Sequence, residues 1–84
     1  MSPHLNRALL LVEQSRLDLA EPQLRLALAD DPDQPFPHAL LGLCLARRGD
    51  YGEGMREAGE AIRLDPEMPM GHYVRAVKIG RAHV

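Results

Sequence analysis

From Leu5 to Val12 apolar residues recur at helical spacing, with Leu5, Ala8, Leu9, Leu11 and Val12 forming one broad stripe. That pattern predicts a helix from about Pro3 to Ser15, with Ser2 as its cap and Pro3 at the first helical position. A second stripe, Ala20, Leu24, Ala27 and Leu28, predicts a helix beginning at Asp18 and stopped by Asp30-Asp31-Pro32. Asp18-Leu19-Ala20-Glu21 resembles a capping box, which would put Pro22 in the first turn, where losing an amide costs little. Leu40, Leu41, Leu43, Cys44 and Leu45 predict a third helix, opened by Pro37 and closed by Arg47-Arg48-Gly49. Asp50 and Glu53 offer the cap of a fourth, from roughly Tyr51 to Leu64. Gly52, Gly54 and Gly59 make it the weakest helix, since an interior glycine costs about 1 kcal/mol relative to alanine. Met70, Tyr73, Val74, Ala76 and Val77 predict a fifth helix without a partner.

These elements repeat with a period of 34 residues. Pro3-His4 returns as Pro37-His38, with His72 in third place. Ala8 returns as Gly42 and Ala76, Leu11 as Leu45 and Ile79, Ala27 as Ala61, and Asp31-Pro32 as Asp65-Pro66. A fixed period of this length predicts an all-α, helical-hairpin solenoid of five helices. The units are 1–34, 35–68 and an incomplete third at 69–77. Residues 78–84 break the repeat in quality and resemble the in-frame translation of a sequencing-library adapter. Lys78 is the only lysine against nine arginines, so this tail is expected to be non-native and the chain a fragment of a longer repeat protein.

The small residues Ala8, Ala20 and Ala27, the large Leu11 and Leu24, and Pro32 resemble the tetratricopeptide repeat. The second unit carries Leu41, Gly42, Leu45, Gly49-Asp50-Tyr51, Gly54, Ala58, Ala61 and Pro66 in the same places. Histidine stands where that family often has tryptophan, and Ala58 where a bulky side chain is usual. The resemblance implies a right-handed superhelix whose first helices line a concave groove for an extended peptide or a partner's helix. The family's carboxylate clamp falls here on Leu5, Leu9, Leu40, Met70 and Val74. None of these can donate a hydrogen bond, so that clamp is absent.

The groove implied is apolar, with Leu5, Leu9, Leu40, Leu43, Tyr73 and Val74 as favoured contacts and Asn6 and Arg47 as polar contacts at the rim. Such a surface suits an apolar peptide or an amphipathic helix. The same side chains can instead pack between neighbouring first helices. The expected role is therefore a protein-protein interaction module. Two alternatives stand beside it: a piece that self-associates through its open third helix, forming a homo-oligomer, and a docking arm for an enzyme or membrane protein lying downstream.

Composition narrows the chemistry. Ten basic and twelve acidic side chains give a net charge of −2, and no basic cluster is present to meet a phosphate backbone. With two Tyr, one Phe and no Trp there is no stacking platform either, so nucleic acid is not an expected partner. Cys44 is the single cysteine, in an apolar run, and is expected to be a small buried thiol. No apolar run approaches a membrane span, and the run ALLLV, ended by Glu13, is too short for a secretory signal. A cytoplasmic location is the expectation. His4, His38 and His72 repeat in register, but solenoid helices stand about 8–10 Å apart, so the three form a row rather than a zinc site. Packing or hydrogen bonding at each helix start is their expected role. Asp30-Asp31 and Asp65-Glu67 are expected to make turns beside prolines. With no catalytic constellation, metal site or cofactor motif in the sequence, an enzyme is not expected.

Overall fold

The chain forms two helical hairpins over residues 3–67, which are those the computed structural model describes. The helices are α1 (Pro3–Glu13), α2 (Leu17–Asp30), α3 (Pro35–Arg48) and α4 (Tyr51–Leu64). The expectation of a five-helix solenoid is corrected by this count. The described residues hold four helices and no strand, and two hairpins alone do not trace a superhelix. The expected fifth helix at 69–77, with Tyr73 and Val74, and the tail at 78–84 lie outside the described residues.

Both hairpins turn by one device. Ser15 takes up a left-handed conformation at φ 61°, and Gly49, 34 residues on, does so at φ 101°. The N–H of Ser15 donates to the Val12 carbonyl at 2.9 Å and that of Arg16 to the Leu11 carbonyl at 2.8 Å. Gly49 and Asp50 donate to Ala46 and Leu45 at 3.1 and 2.9 Å in the same pattern. This is the Schellman arrangement that satisfies a helix's last carbonyls. It ends α1 at Glu13, two residues before the periodicity predicts, and starts α2 at Leu17, one residue early.

The expected capping box is therefore not made. Arg16 occupies the cap position without a side-chain bond, Asp18 is already helical, and Pro22 falls inside the helix. There its missing N–H deprives the Asp18 carbonyl of a partner. The equivalent cap residue of α4, Asp50, also caps nothing, because its carboxylate receives Arg48 instead, at 2.9 Å from Nε and 2.7 Å from Nη2. In α3, Pro35 rather than Pro37 opens the helix. Both prolines fit, because the first-turn amides have no intrahelical acceptor anyway.

The loops repeat as closely as the turns. Asp31 accepts the N–H of Asp33 and Asp65 that of Glu67, each at 3.1 Å, so of the four carboxylates expected to make turns Asp31 and Asp65 do, while Asp30 ends α2. Gln34 closes the end of α2, its amide donating to the carbonyls of Ala27 at 3.2 Å and Asp31 at 3.0 Å.

The main core joins the hairpins. Leu5 and Ala8 of α1, Ala20, Leu24 and Ala27 of α2, and Leu40, Leu41, Cys44 and Leu45 of α3 form one buried cluster. α3 lies between α2 and α4, and every residue from Ala39 to Ala46 is buried. A helix apolar all round belongs in such a central place. α4 is held differently: its buried residues are Gly54, Ala58 and Ala61. A Cβ built on Gly42 would lie 2.9 Å from the Gly54 carbonyl oxygen and 3.1 Å from the Ala58 nitrogen. One built on Gly54 would meet the Gly42 carbonyl oxygen at 3.0 Å. Two glycines thus let α3 and α4 approach backbone to backbone, where α1 and α2 use the alanines Ala8 and Ala20.

Candidate partner-binding surface

The side chains expected to line a groove are divided by the packing. Leu5 and Leu40 are 3% and 1% exposed and belong to the main core. Leu43 is 6% exposed and packs with Ala58. Leu9 is half-buried against the main core, and among the described groove residues only Asn6 and Arg47 stand open to solvent. Of the expected contacts on α1, Asn6 and the outer part of Leu9 are those left within a partner's reach. Leu5 is spent on holding α1 to its neighbours.

Arg47 borders a cleft of about 240 Å³ between the first turn and the end of α3, lined by Ser15, Leu17, Asp18, Glu21, Cys44, Arg47 and Arg48. Arg48 crosses it, pairing with Glu21 of α2 as well as with Asp50, and so ties the two hairpins together. Those carboxylates hold its guanidinium charged, the hydrogen bond to Asp50 contributing most. Burial pushes the Cys44 thiol up to about 11, with Glu21 adding to the effect and Arg47 and Arg48 opposing it. At neutral pH it is a protonated, poorly nucleophilic thiol. The cleft mixes two cations with two carboxylates, so its lining carries no net charge.

The repeated histidines bridge their hairpins. His4 Nδ1 lies 3.1 Å from the Gln23 side-chain oxygen, and His38 Nδ1 lies 2.7 Å from Glu57 Oε1. Gln23 and Glu57 are themselves one period apart, so each hairpin ties the start of its first helix to the middle of its second. His38 Nε2 also lies 2.7 Å from the Pro32 carbonyl oxygen. His72 lies outside the described residues. Among the described residues no three His, Cys, Asp or Glu side chains gather as metal ligands, and no helix is long and apolar enough to cross a membrane.

Among the described residues the most exposed large apolar side chains lie elsewhere than on the expected groove: Leu10 on α1 at 58%, and Leu19 and Leu26 on α2 at 48% and 46%. With Pro22 and Ala29, both exposed, Leu19 and Leu26 form a stripe down the outer face of α2. The signal that would have revealed it was the repeat itself, since those four places in the second unit are Glu53, Arg56, Glu60 and Arg63. Comparison with protein-family models, curated proteins and solved structures finds no match to this chain.

Proposed function

We propose that the chain is a protein-binding module built from tetratricopeptide-like helical hairpins, and that its ligand is an apolar peptide or an amphipathic helix. One observation carries this reading: the 34-residue register recurs in side-chain detail. The left-handed turns at Ser15 and Gly49, the histidine bridges from His4 and His38, and the small-residue contacts at Ala8/Ala20 and Gly42/Gly54 all fall one period apart. Repetition of a hairpin multiplies surface without building a pocket, which suits recognition of a chain rather than turnover of a small molecule. Of the expected groove contacts, Leu9 and Asn6 remain available on α1 and Arg47 on α3.

The test is a titration with a panel of amphipathic-helix peptides and sequence-scrambled controls of equal composition, followed by amide NMR shifts. A peptide that binds is expected to move the signals of Asn6, Leu9 and Arg47 together, and Leu9→Asp is expected to weaken it about tenfold or more. Leu9 is the better probe than Leu40, whose burial makes its replacement a test of folding. If no peptide is preferred over its scrambled control, or if Leu9→Asp binds as the parent does, the reading fails.

A further inference from the structure

We infer that the outer face of α2 joins two copies of this chain, antiparallel, about a two-fold axis between Pro22 and Gln23. Leu19, Pro22, Leu26 and Ala29 all lie exposed there, one or two turns apart. The second hairpin carries the same face in charged form. At the equivalent places Arg56 pairs with Glu53 at 3.4 Å, and Arg63 pairs with Glu60. Each helix folds in the same kind of hairpin, so the fold does not require the leucines.

The charges beside the stripe choose the occupant. Leu19 and Leu26 lie at equal distances, ~5 Å along the axis, on either side of the midpoint between Pro22 and Gln23. An antiparallel pair centred there sets Leu19 of each copy against Leu26 of the other. A two-fold axis also brings each flank of the stripe against the same flank of the second copy. By helical spacing Asp18 and Arg25 fall on one flank, and Asp30 with the cap residue Arg16 on the other, all exposed. Each flank therefore carries one charge of each sign, on opposite sides of the midpoint, so Asp18 meets Arg25 and Arg16 meets Asp30 across the axis. Arg25 keeps Glu21 at 3.1 Å within its own chain, and with half of its side chain exposed (51%) it can serve both. A face that is apolar along its centre and self-complementary at both flanks fits a second copy of itself.

Sedimentation equilibrium of the full chain, from low to high concentration, tests this. The parent mass is expected to rise from one chain to two. The variant L19E/P22R/L26E/A29R writes the second hairpin's own pattern onto the first, and it should stay at one chain with unchanged helical circular dichroism. A parent that remains a single chain throughout overturns the inference. So does a folded variant that associates as the parent does, because association would then run through another surface. Should the fourfold variant lose its fold, Pro22→Cys decides independently. Mild oxidation is expected to give a disulfide-linked dimer, with Gly59→Cys on α4 staying monomeric. Failure of Pro22→Cys to cross-link, or equal cross-linking of both, overturns the proposal.

Discussion

At the scale of single residues, one side chain ties stability to pH. Cys44 is 2% exposed in the main core, and burial holds its thiol at about 11 against 9.0 for an ordinary one. The folded state thus keeps a proton that the unfolded chain gives up at lower pH. The resulting stabilisation is fully present below about pH 9 and is lost as pH rises toward about 11. We predict that denaturant unfolding of the parent loses roughly 2–3 kcal/mol relative to Cys44→Ala over that interval. Parallel curves for the two proteins would mean that the thiol titrates alike in both states. Ser15 shows the opposite kind of cost: a non-glycine residue held left-handed because the turn requires it, where the second hairpin has Gly49.

At the scale of elements, the two hairpins solve one packing problem with different residues. The close approach of α3 and α4 depends on Gly42 and Gly54, whereas Gly59 has nothing within 4 Å of where its Cβ would stand. Gly42→Ala must therefore push α4 away, and is expected to cost about 1–3 kcal/mol. Gly59→Ala should gain up to about 1 kcal/mol from helix propensity alone. Both are read from urea midpoints at constant slope, and the signs must differ. Equal effects would show that the glycines act through propensity and not through contact. The first three described helices were legible from their apolar stripes and α4 from the cap residues Asp50 and Glu53, and Arg47-Arg48-Gly49 marked a true helix end. The start of α2 was not. A left-handed Ser15 carries no sequence signal as strong as glycine's, and Asp18 offered a plausible cap that the turn had already passed.

At the scale of the whole molecule, periodicity identifies which face of a helix is apolar but not what that face touches. Leu5 and Leu40 were legible as an apolar surface, and the neighbouring helices turn that surface into core. Leu19 and Leu26 fall on the far side of α2, where no stripe of the first hairpin reaches them, and only comparison with Glu53 and Glu60 sets them apart. Stability is distributed just as unevenly. The main core unites α1, α2 and α3 through large side chains such as Leu24, Leu41 and Leu45, and α4 contributes none of its described residues to it. α4 rests on α3 through Gly54, Ala58 and Ala61, which bury little apolar area. It should therefore open on its own, below the free energy of global unfolding. We predict that native-state hydrogen exchange gives α4 a smaller opening free energy than α2. Leu24→Ala, which empties part of the main core at a cost of about 2–5 kcal/mol, should lower the protection of α1, α2 and α3 while leaving the α4 opening where it was, provided the variant's global stability still exceeds it. If instead Leu24→Ala lowers all four helices equally, the two hairpins unfold as one unit. α3, which packs on both α2 and α4, would then couple them.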